Sequence, residues 1–248
     1  DDGSVTPPDG SSGDDRPSVE SISSPTVSEG DNATFDVSLS NASTTATTVT
    51  LTLAGDSATA GTDFTSTEVT ITYQNGTTQT VAVNGDGTFD VAIPAGDTTF
   101  SISVQTTDDN VFEGDETFTL SGKTGAQTIA TTGTATIKDD SDTTTVTLSS
   151  ATNGQTVTEG GSIVYTASVS NPVTGSPLSV TLSNGVVITI PVGSSSANSE
   201  PVPVRGDDAY QQGNETLSVS ISGTSGGNYE AVSTTGTISN TVVDDSDT

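Results

Sequence analysis

The sequence predicts an all-β protein made of two antiparallel β-sandwiches in tandem. Apolar and polar residues alternate in short runs such as "TFDVSLS" (34–40) and "TFSISVQ" (99–105), which is the pattern of half-buried strands. Gly, Asn, Asp or Pro separates these runs, as is typical of turns. A third observation sets the number of sandwiches, because one series of motifs occurs twice in the 248 residues.

The repeated motifs keep the same order in both copies. The segment "TDDNVFEGDETFTLS" aligns without a gap to "GDDAYQQGNETLSVS". The matching ranges are 107–121 with 206–220, 26–31 with 156–161, and 131–143 with 234–248. Such a repeat indicates two copies of one domain. We place the first sandwich at 17–142 and the second at 143–248, and the Pro/Gly/Ser/Asp-rich residues 1–16 are predicted to be a linker.

The strands of the first domain follow from the alternating runs. The predicted strands are 18–27, 33–39, 46–54, 67–73, 98–105, 116–121 and 131–138, with an extra hairpin of 78–84 and 87–93 that turns at "NGDG" (84–87). In the second domain the connection between the third and fourth strands is predicted to be the tight turn "SNG" (183–185). Successive antiparallel strands run in opposite directions, so alternate loops lie at the same end of a sandwich.

That alternation brings acidic residues of the first domain to one end, which we call its acidic pole. The pole is predicted to hold Glu29, Asp63, Asp108, Asp109, Glu113, Glu116, Asp139, Asp140 and Asp142. Two like charges 4 Å apart repel by about 1 kcal/mol in water and by about 4 kcal/mol at an effective dielectric constant near 20. The loops would move apart unless a cation neutralised these carboxylates.

The residue types favour calcium as that cation. Ca²⁺ accepts six to eight oxygen ligands in irregular geometry, whereas Mg²⁺ requires a stricter octahedron and retains water. Zinc and copper prefer His or Cys, and the sequence has neither. The sequence therefore predicts several calcium ions at the acidic pole.

The second domain has the same plan with fewer acids. Its predicted ligands are Glu159, Asp207, Asp208, Glu215, Asp244 and Asp245, and Asp247 lies close by in sequence. Asp63 has no acidic counterpart, and Gln212 stands where Glu113 stands in the first domain. We expect fewer or weaker ions there.

Composition excludes several function classes. Four Lys and Arg residues against 32 Asp and Glu give a net charge of −28, which argues against nucleic acid and anionic membranes as partners. The absence of Cys excludes disulfides, and no run approaches the roughly 18 apolar residues of a membrane span. Glycosidase carboxylates are disfavoured because the acids recur in both copies without a cleft rich in aromatic residues, so we expect no enzyme.

The start "DDGSV" without Met is expected of a fragment of a longer protein.

The motifs of the first domain resemble the Calx-beta family of calcium-binding, immunoglobulin-like sandwiches. The resemblance rests on "SEGD", "SATAGTDF", "DDNVFEGDETFTL" and "IKDD", and it covers nearly all of the first domain. It implies two tandem immunoglobulin-like sandwiches. By position it also implies the ligands Glu29, Asp63, Asp108, Asp109, Glu113, Glu116, Asp139 and Asp140.

The two copies, the Thr/Ser/Asp-rich composition, the missing Cys and the "DDSDT" junctions also resemble the extender repeats of bacterial RTX-type adhesins. That resemblance implies a secreted, extracellular protein at the bacterial cell surface that supports attachment and biofilm formation. Calcium would rigidify its neighbouring repeats, and a surface glycan or peptide would be bound elsewhere in the full protein.

Two further interpretations remain open from the sequence. The extra segment 72–96 is absent from the second domain, so it is the place for a sugar- or peptide-binding site if the chain is a ligand-binding adhesin module. Thr-rich runs such as "TTTVT" (143–147) fit a flat ligand- or ice-binding face, but the high β propensity of Thr is the favoured explanation.

Overall fold

The structure, a computed structural model, describes residues 4–5, 13–14, 16–140 and 142–245. The chain divides into two compact units, Asp1–Asp109 with Glu113–Asp140, and Asn110–Phe112 with Ser141–Thr248. The regular elements among the described residues are all β-strands, so no helix there could span a membrane. The predicted fold class, tandem all-β immunoglobulin-like sandwiches, is confirmed.

The first unit has two five-stranded sheets. Its strands are β1 (Ser4–Val5), β2 (Gly13–Asp14), β3 (Val19–Ile22), β4 (Thr26–Ser28), β5 (Asn32–Leu39), β6 (Thr47–Gly55), β7 (Glu68–Tyr73), β8 (Thr78–Ala82), β9 (Thr88–Ile93), β10 (Thr99–Gln105), β11 (Glu116–Thr124) and β12 (Thr131–Lys138). The strand orders are β3-β5-β10-β7-β8 and β4-β12-β11-β6-β9. In the predicted linker, β1 and β2 form a short antiparallel ladder, and the rest of it apart from Arg16 lies outside the described residues.

The first predicted strand, 18–27, is divided between the two sheets. β3 pairs antiparallel with β5, and β4 pairs parallel with β12. The interruption includes Pro25, which has no backbone N–H to donate to a ladder, and its carbonyl instead accepts a hydrogen bond from Thr136 N–H at 2.9 Å. The chain thereby links both sheets at their edges.

The predicted hairpin of 78–84 with 87–93 is wrong in its pairing. β8 pairs with β7 in the first sheet, and β9 pairs with β6 in the second. The turn at 84–87 does form, since Gly87 N–H donates to Asn84 O at 2.8 Å, but Leu53 N–H of β6 binds Gly87 O at 2.9 Å. The chain therefore crosses between the sheets here, and the segment adds one strand to each of them.

The apolar residues of alternating strands form one core between the sheets. Phe118 of β11 is fully buried, with its ring stacked on Phe64 at a centroid distance of 4.3 Å. Its edge contact with Phe35 of β5 has a centroid distance of 5.7 Å. These rings join both sheets to the loop that contains Phe64, which directly follows Asp63.

The second unit repeats the sandwich with strands that are mostly shorter. They are β13 (Thr143–Ser149), β14 (Thr156–Thr158), β15 (Ser162–Ile163), β16 (Thr166–Val169), β17 (Leu178–Leu182), β18 (Val187–Ile190), β19 (Ser196–Asn198), β20 (Val202–Pro203), β21 (Glu215–Ser225), β22 (Ala231–Thr235) and β23 (Thr237–Val243). The sheet orders are β19-β16-β13-β22, β14-β23-β21-β17-β18 and β15-β20. Tyr165 is its largest fully buried side chain.

The "SNG" turn at 183–185 forms, but it does not lead to the opposite sheet. Gly185 N–H donates to Leu182 O at 2.9 Å, and β18 then pairs antiparallel with β17 in the same sheet. In the first unit the strand after β6, β7, lies in the other sheet. The second unit therefore lacks the long loop between sheets that contains Asp63 in the first.

The stacked Phe rings give a test of this core. Replacing Phe118 by Ala should lower the free energy of unfolding of the first unit by about 3–5 kcal/mol, because it leaves a cavity between both sheets. Chemical denaturation of the full chain measures this change. Ile129→Ala is the control, since Ile129 is 80% exposed and should alter stability little. An equal loss in both variants would contradict the packing described.

Candidate metal centre

Backbone pairing at the end of β4 positions the first acidic residue of the pole. Glu29 N–H donates to Lys138 O at 3.1 Å, and Gly30 N–H donates to Thr107 O at 3.2 Å. Gly30 has φ of +75°, and a Cβ there would lie 3.0 Å from the Cβ of Asp108. The "SEG" motif therefore needs glycine at its third position, both for the backbone conformation and for the close approach of Asp108.

Asp63 lies in a buried, internally bonded loop between β6 and β7. Its side chain is only 9% exposed, and its Oδ2 accepts a hydrogen bond from Thr59 N–H at 2.5 Å. Its backbone carbonyl accepts another from Thr107 N–H at 2.9 Å. The adjacent Phe64 packs on Phe118 in the core and anchors the loop that carries Asp63.

Three carboxylates of the first unit converge. Oxygens of Asp63, Glu113 and Glu116 lie within 4.8 Å of one another. They line a small cavity together with Glu29 and Asp109. These acids come from the loop after β4, the loop before β7, the loop after β10 and the first residue of β11, which is the convergence of loops that strand direction predicted.

The acidic pole raises the pKa values of its own carboxyl groups. Burial, followed by the charge of Asp139, raises the pKa of Glu29 to about 8. Burial also raises the pKa of Glu116 to about 7, with further contributions from a hydrogen bond and charge repulsion involving Asp63. The pKa of Glu113 is raised by burial and then by the charges of Asp63 and Asp109. Protonation of these carboxyl groups, or the binding of another cation, is therefore favoured at this pole.

The other predicted residues of this set are Asp108, Asp139 and Asp140. Asp108 is exposed beside Gly30, and Asp139 Oδ1 accepts a hydrogen bond from Glu113 N–H at 3.3 Å. Asp140 Oδ1 is buried, and within the described residues no hydrogen-bond donor reaches it. The donor set is entirely oxygen and mostly carboxylate, which fits a hard cation such as Ca²⁺.

Asp142 belongs to the second compact unit. Its Oδ2 accepts a hydrogen bond from Asn110 Nδ2 at 2.8 Å, and its backbone N–H donates to Glu230 Oε2 at 2.5 Å. Sequence reasoning missed Glu230, because it lies far from the "DD" motifs in sequence.

The second unit builds its own acidic pole in the same way. Glu159 N–H donates to Val243 O at 2.9 Å, and Gly160 N–H donates to Arg205 O at 2.9 Å. A Cβ on Gly160, where φ is +71°, would lie 3.0 Å from the Cβ of Asp207. Carboxylate oxygens of Glu159, Asp207 and Asp245 lie within 4.8 Å of one another.

The remaining predicted acids of the second unit are engaged differently. Asp208 accepts hydrogen bonds from Tyr210 N–H and Gln212 Nε2, at 2.8 and 2.5 Å. Asp244 Oδ1 accepts one from Gln212 N–H at 2.9 Å. Glu215 is exposed at the start of β21, outside the group of three. Asp63 and Glu113, which converge with Glu116 in the first unit, have no acidic counterparts here. Asp247 lies outside the described residues.

An arginine inside the second acidic pole was also missed. Arg205 Nε donates to Glu159 Oε2 at 2.9 Å, and its Nη2 lies 3.7 Å from Asp244 Oδ1. Its Nη1 donates to Gly213 O at 2.9 Å, and the side chain is 16% exposed. The available signal was its rarity, since it is one of only four cationic residues and precedes the "DD" motif by two positions.

Fold and site together define a class of protein: immunoglobulin-like sandwiches that gather loop carboxylates at one end and are suited to hold a hard cation. Residues 14–89 and 85–150 match the Calx-beta domain, and together these ranges span more than half of the chain. The chain therefore belongs to the Calx-beta family. Residues 142–246 match the LapA domain. No curated protein matches the chain significantly in sequence.

Similar solved structures include Calx and titin domains. The apo-form Calx CBD1 domain is 22% identical over 48% of this chain and 95% of its own, with a TM-score of 0.37. The calcium binding domain CBD12 of CALX1.1 is 12% identical over 92% of this chain and 99% of its own, with a TM-score of 0.38. The titin domains z1z2, solved in complex with telethonin, are 14% identical over 94% and 98%, with a TM-score of 0.34.

The raised pKa values predict how stability depends on pH when no metal is bound. A carboxyl group whose pKa is higher in the folded state stabilises the fold below its unfolded pKa, here 4.5, and this stabilisation is lost as pH rises through the folded values of about 7 and 8. In EDTA, the melting temperature of the first unit should therefore fall between about pH 5 and pH 8. Circular dichroism melts across this range measure it.

Glu29→Gln provides the matched variant for that experiment. It removes the carboxyl group with the highest pKa and keeps the shape of the side chain, so the fall with pH should be shallower. A melting temperature that rises from pH 5 to pH 8 in EDTA would contradict the electrostatic description of the pole.

Proposed function

We propose that this chain is an extender region of a secreted cell-surface adhesin, rigidified by calcium at its domain poles and junctions. The observation that carries the proposal is the convergence of Asp63, Glu113 and Glu116, from separate loops, within 4.8 Å. The role is structural and not catalytic. It supports cell attachment and biofilm formation, while the adhesive contact with a glycan or peptide is made elsewhere in the full protein.

The proposed ligands are the acids that the loops bring to each pole. In the first unit they are Glu29, Asp63, Asp108, Asp109, Glu113, Glu116, Asp139 and Asp140, with Asp142 at the junction. In the second they are Glu159, Asp207 and Asp245, joined by Asp208, Asp244 and Glu215. Calcium supplies positive charge and a flexible coordination sphere when bound. The chain supplies carboxylates that its backbone holds in place before any ion arrives.

Electrostatics explains why calcium would stabilise such a domain. Each pair of unprotonated carboxylates at this spacing repels by about 1–4 kcal/mol, depending on the local dielectric constant. An ion that binds only the folded state stabilises it by about 2.7 kcal/mol at a concentration one hundred times its Kd. At neutral pH, calcium would displace the protons that the raised pKa values favour, and folding would become dependent on calcium.

An extender role is supported by domain composition as well as by charge. Calx-beta and LapA matches follow each other along one chain, and LapA is a family associated with adhesins. A strand of nine residues, such as β6, spans about 30 Å, so each domain would add a few nanometres of reach. The sequence has no Cys, so metal ions are the available cross-link within the fold. The match to an adhesin-associated family favours an extracellular location at the bacterial surface.

We also propose that 17–142 and 143–248 are the separate folding units of this extender. Each has its own apolar core, one around Phe118 and one around Tyr165. Each range, produced alone, is expected to melt cooperatively in calcium. A range that stays unfolded in calcium by circular dichroism would place the boundary elsewhere.

The direct test is calorimetry of the full chain in EDTA and in millimolar CaCl₂. Calcium should raise the melting temperature of both units, and that of the first unit more. Asp63→Asn should weaken calcium binding to the first unit by about tenfold, because it removes one charged ligand and keeps the side-chain shape. Isothermal titration calorimetry measures that affinity.

Asp90→Asn is the control for this variant. It changes the net charge equally, but Asp90 lies in the middle of β9, where it accepts a hydrogen bond from Thr50 at 2.7 Å. If neither melting temperature responds to calcium, or if both variants lose affinity equally, the proposed function is refuted.

A further inference from the structure

The acidic poles of the two units differ at one position that no ligand assignment includes. Residue 106 of the first unit aligns with residue 205 of the second. Thr106 is a buried hydroxyl that donates to Asp31 O at 2.7 Å, so it adds no charge to the pole. Arg205 places a guanidinium at the second pole instead, and its Nε lies 2.9 Å from Glu159 Oε2.

The guanidinium lies against a carboxylate oxygen that a bound cation would use as a ligand. Its Nε and Nη2 reach Glu159 and Asp244 at 2.9 and 3.7 Å. Glu159 is 5% exposed and is the counterpart of Glu29 in the first unit. An arginine side chain carries a full positive charge, and its planar guanidinium can donate to several oxygen atoms at once. A metal ion would have to displace it to reach the same carboxylate oxygen.

The first unit has no equivalent internal cation within its described residues. Lys138 forms its ion pair with Asp115, and both side chains are about half exposed. The carboxylates of Glu29, Asp63 and Glu116 therefore have neighbours that are mostly acidic, which is why burial and like charge raise the pKa values of the two Glu residues.

We propose that Arg205 is a built-in counterion that replaces one bound calcium ion at the acidic pole of the second unit. Arg205 thus determines how many ions that unit takes and makes its folding less dependent on calcium than that of the first. The inference rests on the proposed function, since it specifies the ion count of the same poles. In an extender, it would keep the second domain folded when calcium is scarce.

Arg205→Thr tests the inference, because it installs the residue that the first unit has at this position. In EDTA the variant should lower the melting temperature of the second unit by at least about 10 °C, since Glu159 would lose its buried partner. In calcium the loss should largely disappear, and isothermal titration calorimetry of the full chain should count about one more ion than in the unmodified chain. Phe118→Ala identifies which transition belongs to the first unit.

Two further variants complete the experiment. Lys123→Thr removes the same charge at an exposed site of β11 and should change neither the ion count nor the second transition. Arg205→Lys retains the charge with fewer donors and should keep the ion count of the unmodified chain.

The outcomes separate the inference from the proposed function. The inference is overturned if calcium raises the first transition but Arg205→Thr leaves the ion count unchanged. It is also overturned if Arg205→Thr stays unfolded in calcium, because an ion would then not replace the guanidinium. If neither transition of the unmodified chain responds to calcium, the proposed function fails, and the inference fails with it.

Discussion

Repulsion between carboxylates held close together is the constraint on which the rest of this structure depends. Asp63, Glu113 and Glu116 lie within 4.8 Å of one another, and the fold holds two of the three in place. Asp63 is held by Thr59 and by the adjacent core residue Phe64, while Glu116 is the first residue of a ladder. Folding of the sandwich therefore keeps like charges close together at a cost in free energy. A bound cation would relieve this repulsion, so the pole has affinity for cations.

The β-ladders that position the acidic residues of each pole are also the ladders that build the fold. The splitting of the first strand at Pro25 gives β4 its parallel partner β12, and Glu29 continues that pairing by one residue. The corresponding pairing of β14 with β23 positions Glu159 in the second unit. An immunoglobulin-like arrangement of sheet edges thus places one acidic residue beside the end of the last strand in each copy, where the "DD" motif begins.

The negative charge of the acidic pole is balanced differently in the two units. The first concentrates acids and leaves Lys138 in an exposed ion pair, so its charge is balanced by protons or by an external cation. The second has lost the loop that contains Asp63, because β18 remains in the sheet of β17, and it carries Arg205 against Glu159. The second unit therefore has fewer acidic residues at its pole than the first, and it also has an internal cation.

The amino-acid sequence was enough to predict the all-β class, the approximate strand positions of the first unit and the end of the sandwich at which Asp63, Glu113 and Glu116 meet. Alternation and turn residues are local signals, and strand direction then assigns the loops to ends without any tertiary detail. The three-dimensional fold was needed to show that β8 and β9 join opposite sheets, that β18 pairs with β17 and that Arg205 reaches Glu159. Sheet membership and ion pairing depend on which edges and side chains meet across long separations in sequence, and no local pattern encodes that choice.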